Sequence, residues 1–347
     1  MNHRPTLKDV AREAGVSPGT VSRVLNGVQT PVVITEATRK LVWAAARKVR
    51  YRPSAAARAM KSNETRQIGV VLHDAGLDEP PRPHAMEFVG GIMGVLEEQD
   101  YTTCLVEMSD VERDLNGMSR VFREHALDGV IVQASLIDAV RCQIDDLVDR
   151  CVWLDAGVRK KSNCLWRDEE RAGQLAAEAL LTVGCTTVLW VFAPSRDEMA
   201  RRYDHTARRL KGASRVLDPH GITISSTPLD FDKQAAFLQA MERMDAETGI
   251  LVCEYQNAIL AFNLAAMSGR IAGRDYQLAC CDDTETFVRE FPMLSRASYN
   301  RFELGKKAAR MMIETLRNPQ AGAPSVVSRP EWLAGATAVA SQNCTES

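Results

Sequence analysis

Residues 17–27 read SPGTVSRVLNG, and the reading of this stretch decides how the chain begins. The Ser17 hydroxyl can accept a bond from an orphan amide two or three residues on, which makes it a helix N-cap. Pro18 suits the first helical position, where its missing N–H costs nothing. Val21, Val24 and Leu25 then share one face at helical spacing, leaving Thr20, Ser22, Arg23 and Asn26 outside. Upstream, Thr6-Leu7-Lys8-Asp9 has the form of a capping box with Asp in the place of Glu, opening a helix whose apolar face is Leu7, Val10, Ala11 and Ala14. Gly15 ends that helix, and only Gly15-Val16 precede the next cap. Two short helices joined by a tight turn containing Gly form a helix-turn-helix, whose second helix presents its N-terminal residues to a major groove.

Charge supports that reading. Residues 1–66 carry 13 Lys and Arg against 4 acids, a net +9, while the remainder nets −11. The overall −2 of the 347-residue chain therefore hides a basic head on an acidic body. Such asymmetry is the electrostatic footprint of a nucleic-acid-binding segment. No run of eighteen apolar residues is present, and the basic N-terminus lacks the apolar segment of an export signal, so a cytoplasmic, membrane-free protein is expected. The nine cysteines are scattered without a CxxC pair and read as reduced core fillers, with no metal site and no cofactor expected.

TLKDVAREAGVSPGTVSRVLNG, followed by TEATRKLVWAAARKVRYRPSAAARAM, resembles the headpiece of the lactose- and galactose-repressor family of bacterial transcription factors. Fainter likenesses follow in DGVIV, DEERAGQLAAEALLTVGCTTVLWV, CCDDTE and FELGKKAARMMIETL. The resemblance implies an α/β protein with an N-terminal all-α helix-turn-helix headpiece at 1–52 and a hinge at 53–66. After these comes a two-lobed core at 67–347, like a periplasmic binding protein, with doubly wound parallel sheets. It places an N-lobe at about 67–160 plus 295–325 and a C-lobe at about 161–294 plus 326–345. The DNA contacts it implies are Thr6, Leu7, Ser17, Pro18, Gly19, Thr20, Ser22, Arg23, Asn26, Tyr51, Ala57 and Met60. Pro18 and Gly19 stand where the family projects its main base-reading side chains, and Met60 stands where it keeps a minor-groove wedge. A third helix, capped by Thr35, is expected to bury Leu41, Val42, Ala45, Ala46 and Val49. Arg50 occupies a position where the family favours Gly for a left-handed turn.

From Gln67 onward, apolar runs alternate with helical patterns. Strands are expected at 68–72, 103–107, 129–133, 151–155, 187–191, 222–226, 249–253 and 277–281, with an amphipathic helix over 86–99. This is the pattern of βαβ units, two groups of four strands making two lobes, with ligands at the carboxyl ends of the strands.

The chain shows no GxSxG, HExxH, Walker A or post-strand GxGxxG motif, and its six histidines lack metal-ligand spacing, so no enzyme is expected. Asp282-Asp283 closes an apolar run. The resemblance makes Asp282 a contact for a small-molecule effector, a sugar or related metabolite, and puts an effector arginine at Arg202 or its neighbour Arg201. Asp74, His84 and Tyr255 are candidate further contacts, the last beside Glu254 where the family has Asn-Asp. The expected function is an effector-controlled repressor that binds a near-palindromic DNA operator as a homodimer. The rival classes are a solute-binding receptor, which would need an export signal, and a nucleic-acid-modifying enzyme, which would need a catalytic constellation.

Overall fold

The computed structural model describes residues 5–26, 33–53, 59, 64–72, 83–107, 126–133, 136, 138–193, 205–230, 232–284 and 291–339. The chain divides into two compact units, Met1–Arg66 and Gln67–Ser347.

The first unit contains α1 (Leu7–Ala14), α2 (Pro18–Asn26) and α3 (Glu36–Lys48). The expected local signals set their ends. The Thr6 amide and hydroxyl both donate to the Asp9 carboxylate, at 2.9 and 2.7 Å, and Gly15 takes the left-handed conformation at φ 66°. The Ser17 hydroxyl accepts from the Thr20 amide at 3.1 Å, and the Thr35 hydroxyl accepts from the Thr38 amide at 3.2 Å. Val10, Ala11, Val21, Val24, Val42, Ala45 and Ala46 form the core, with Leu7, Leu25, Val49 and Tyr51 packed at its margin. Leu41 corrects the expectation: it is 57% exposed, because burial at 42, 45 and 46 sets a helix phase that turns position 41 outward. Arg50 holds the left-handed turn at φ 55°, where an L side chain is strained. Ala57 and Met60 lie outside the described residues.

In the second unit a first sheet is built from β1 (Gln67–Leu72), β2 (Thr102–Glu107), β3 (Gly129–Gln133), β4 (Cys151–Leu154), β5 (Cys164–Arg167) and β11 (Val326–Ser328), in the order β11-β5-β4-β3-β1-β2. The second sheet holds β6 (Thr187–Phe192), β7 (Ile224–Pro228), β8 (Thr248–Val252), β9 (Gln277–Cys280), β10 (Ser295–Ser298) and β12 (Glu331–Leu333), in the order β12-β10-β9-β8-β6-β7. Every pairing is parallel except β10 with β12. The helices are α4 (Pro83–Glu98), α5 (Asp138–Leu147), α6 (Glu169–Thr182), α7 (His205–Leu217), α8 (Ala235–Met241), α9 (Tyr255–Met267) and α10 (Arg301–Arg317). In each sheet the strand order reverses beside the first strand, β1 or β6, and a doubly wound sheet opens a ligand crevice at that point.

Eight strands were legible; β5, β10, β11 and β12 were not. CLWR, SRAS, VVS and EWL are three or four residues long and have no extended apolar run. β11 and β12 are exposed sheet edges, and β5 and β10 are the buried strands beside them, too short for a period to show. Their placement moves the lobe boundaries. β5 and β11 belong to the first sheet and β10 to the second, so the chain passes between lobes near 168, 299 and 329, not at 160, 294 and 325. The strand expected at 222–226 begins at Ile224, after the left-handed Gly221 turn.

Candidate functional site

In the headpiece, α2 buries Val21 and Val24 and leaves Ser17, Pro18 and Gly19 exposed, with Thr20, Ser22 and Arg23 half-buried. A Cβ built on Gly19 would meet only the Ser17 Oγ, at 3.7 Å, so the outer surface there is open. Thr6 is exposed and Leu7 and Tyr51 are half-buried, so these expected contacts belong to the same small unit. α2 therefore opens on small, exposed side chains and carries Arg23, within a segment of net charge +9, a surface and charge suited to a DNA groove.

In the core, two of the passages between lobes, near 168 and 299, run beside a buried ionic cluster. Arg167, at the end of β5, places Nε 2.6 Å from Asp155, Nη2 3.0 Å from Glu169 and Nη1 3.3 Å from Asp282. Its guanidinium lies 5.0 Å from the centre of the Tyr299 ring. Arg209, on α7, donates from Nε to Glu169 at 2.7 Å and from Nη1 to the Cys253 carbonyl at 2.6 Å, and its Nη2 approaches Asp282 Oδ2 at 3.3 Å. Arg301, opening α10, donates from Nη2 to Asp282 Oδ1 at 2.6 Å and from Nη1 to the Asp283 carbonyl. Asp155 has a left-handed backbone, φ 52°, a strained conformation for a buried aspartate.

Close helix packing brings Arg209 to this point. A Cβ on Gly173 of α6 would strike the Arg209 carbonyl oxygen, and one on Gly212 of α7 would strike that of Glu170. The two glycines let α6 and α7 touch backbone to backbone. The electrostatics follow. Burial alone would raise the Asp282 pKa, but Arg301, Arg209 and Arg167 hold it well below the usual carboxylate range. Glu169 is likewise lowered against its burial, by Arg167 and Arg209. Asp283 moves the other way, because burial outweighs its arginine neighbours.

Of the expected effector residues, Asp282 lies at the centre of the cluster. Arg202, Arg201 and Asp74 fall outside the described residues. His84 is half-buried in the first turn of α4. Tyr255 is a correction: it is 2% exposed and packed with Leu229, Val252 and Phe291 in the apolar core of the second lobe, and the preceding Glu254 bonds His205 at 2.8 Å instead. Arg167, Glu169, Arg209 and Arg301 were missed as site residues. Arg209 lies in RLKG and Arg167 opens RDEE, charged runs that read as solvated surface in the sequence.

His205, Cys253 and Glu254 bring possible metal ligands within 4.8 Å of one another. They do not fit a cation well. Burial pushes the Cys253 thiol up to about 12, and Arg209 Nη1 lies 4.0 Å from its sulfur.

Comparison with known proteins agrees with both units. The family described as bacterial regulatory proteins, lacI family, matches residues 6–54, and the periplasmic binding protein-like domain matches residues 177–338. The HTH-type transcriptional regulator RegA of Clostridium saccharobutylicum is 28% identical over 94% of this chain and 97% of its own length. The transcriptional repressor PurR of Aliivibrio salmonicida is 26% identical over 90% and 92%, and the ribose operon repressor of Haemophilus influenzae is 24% identical over 94% and 96%. Among solved structures, the Lac repressor dimer bound to operator and the anti-inducer ONPF superposes with a TM-score of 0.76 at 22% identity, covering 97% of this chain and all of that one. A complex of the transcriptional regulator CelR with cellobiose gives 0.64 at 20% identity, covering 96% of this chain. With full-length relatives that are transcriptional regulators, the chain joins a headpiece matching the lacI family of bacterial regulatory proteins to a periplasmic binding protein-like domain.

Proposed function

We propose that the protein is an effector-controlled transcriptional repressor that binds a near-palindromic DNA operator as a homodimer and takes a sugar or related metabolite in the cleft of its core. The observation that carries the DNA half is the capped, open-surfaced α2 on a segment of net charge +9. Ser17, Pro18, Gly19, Thr20, Ser22, Arg23 and Asn26 form the groove-facing end, Thr6, Leu7 and Tyr51 flank it, and Ala57 and Met60 act from the hinge. The domain reading is a headpiece at 1–52, a hinge at 53–66 and a core whose two lobes meet at the Asp282 cluster. Asp282 and His84 line the effector side, with Arg202 and Asp74 as further contacts.

The reading assigns no catalysis to the chain, in keeping with relatives that are regulators. It places the protein in the cytoplasm, with its DNA; no described helix is long and apolar enough to cross a membrane. The test is a binding titration on an operator selected from random DNA by the full-length chain. Affinity should fall by orders of magnitude between roughly 50 and 200 mM salt and disappear when residues 1–66 are deleted. Operator binding that survives the deletion would refute the assignment.

A further inference from the structure

A pocket lies away from the Asp282 cluster, at the edge of the second sheet. It holds about 550 Å³, within the range of roughly 300–1,000 Å³ typical of small-molecule sites. Its walls come from both lobes. Arg296 and Ser298 on β10 and Leu333 on β12 belong to the second sheet, Ser328 closes β11 of the first, and Leu304 and Lys307 lie on α10. The pocket therefore sits on the chain passages near 299 and 329. The effector crevice opens instead beside β6, three strands from β10, or about 14 Å away at ~4.8 Å per strand. Tyr299 stands between the two regions: its hydroxyl donates to the Asp168 carbonyl at 2.9 Å on the cluster side, and the residue also lines the pocket.

The charges on its walls are unevenly matched. Glu303 is taken by Lys306 at 2.7 Å, and Asp283 by Arg301, which approaches its Oδ1 at 3.5 Å. Lys307 and Arg329 make no hydrogen bond or ion pair among the described residues, and neither does Glu331. Arg296 forms a buried wall, its side chain 9% exposed. Its Nη1 donates to the Leu294 carbonyl at 2.9 Å, but its Nε makes no hydrogen bond, with Asp283 Oδ2 3.6 Å off. A donor buried to that degree is costly to leave unmet. The N-terminus of the 17-residue α10 meets the same pocket through Asn300 and Leu304 and adds partial positive charge. Two uncommitted cations, a buried donor and a helix N-terminus thus face one uncommitted carboxylate. The remaining capacity is net positive, with Glu331 left to accept from a hydroxyl.

We propose that this pocket is a second ligand site, separate from the effector cleft, for a small hydroxylated organic anion that modulates operator binding. The carboxylate or phosphate group of the ligand is taken by Arg296 Nε, Lys307 and Arg329, and its hydroxyl donates to Glu331. Such a ligand touches both lobes at the passages between them, so it favours one lobe arrangement over another. The modulation rests on the reading of the chain as an operator-binding repressor; the site itself does not.

The test is calorimetry on the full-length protein with citrate, glycerol 3-phosphate and glycerol at equal ionic strength. At least one of the two anions should bind saturably and glycerol should not, and which anion binds more tightly separates carboxylate from phosphate chemistry. Lys307→Gln combined with Arg329→Gln, both at exposed positions, should weaken that binding about tenfold or more while the circular dichroism stays native. Asp282→Asn should bind the anion as the wild type does. With saturating anion, operator affinity should change about fivefold or more, and the change should vanish in the double variant. No binding by either anion, unchanged affinity in the double variant, or loss of binding in Asp282→Asn would overturn the site. Binding that leaves operator affinity unchanged would overturn the modulation. A chain that binds no operator would refute the repressor reading and the modulation with it, while the calorimetry still decides the site.

Discussion

Seven buried residues, none larger than valine, hold the headpiece together, whereas the junction of the core buries Arg167, Arg209, Arg296 and Arg301 with Asp155, Glu169 and Asp283. The helix ends of the headpiece are fixed by contacts a few residues apart: Thr6 to Asp9, Ser17 to Thr20, Thr35 to Thr38. The junction is fixed by contacts such as Arg167 to Asp282, 115 residues apart. A local scaffold suits a unit that must present a helix end to DNA. A long-range charged junction suits a unit that must register a ligand between two lobes, because an effector acts only through differential affinity for their arrangements.

The largest effect expected on this contrast comes from breaking the junction. Arg167→Leu leaves three carboxylates without their shared partner, and removing one member of a buried ionic set costs about 3–5 kcal/mol. Urea denaturation should show that loss in the core transition, with the headpiece transition unmoved. Gly212→Ala should cost the core about 1–3 kcal/mol, because its Cβ meets the Glu170 backbone across the α6–α7 contact, and a backbone cannot swing aside as a side chain can.

Acid should divide the two units as well. Asp282, Glu169 and Glu254 have lowered pKa values in the folded core, so the stability they contribute is complete above their unfolded values near about 4 and lost as pH falls through the folded ones. Asp283, raised by burial, has the opposite sign and offsets part of that loss. Urea melts at intervals from neutral pH downward should show core stability falling below about pH 4, with a shallower fall in Asp282→Asn.

Smaller effects belong to the headpiece. Arg50→Gly relieves the left-handed strain at φ 55° and should stabilise that unit by about 1 kcal/mol, measured by thermal denaturation of residues 1–66 in the full chain. Gly19→Ala should add about 0.5–1 kcal/mol of helix stability, since its Cβ enters open space, yet weaken operator binding by standing in the way of close approach.

The same contrast explains what the sequence made legible. Caps, Gly15, the α2 face and the long apolar strands act through neighbours in the chain, and each could be read. Leu41 could not, because the phase of a helix with three buried positions depends on which neighbours it meets. The short strands β5, β10, β11 and β12 carry no period long enough to see. At the site, Asp282 was legible as the close of a strand. The arginines around it were not, since a guanidinium in a surface-like run such as RDEE or ARRLKG looks solvated until the fold supplies its carboxylates. Tyr255 looked like a contact in the same way and proved to be core.

The most direct test of the division between units compares one substitution in each on the same selected operator. Arg23→Ala should weaken operator binding by about tenfold or more while leaving random-DNA binding at low salt nearly intact, because a base contact specifies and phosphate contacts position. Asp282→Asn, without added ligand, should bind the operator as the wild type does. An Arg23→Ala protein with full operator affinity, or an Asp282→Asn protein that is folded but has lost it, would contradict the account.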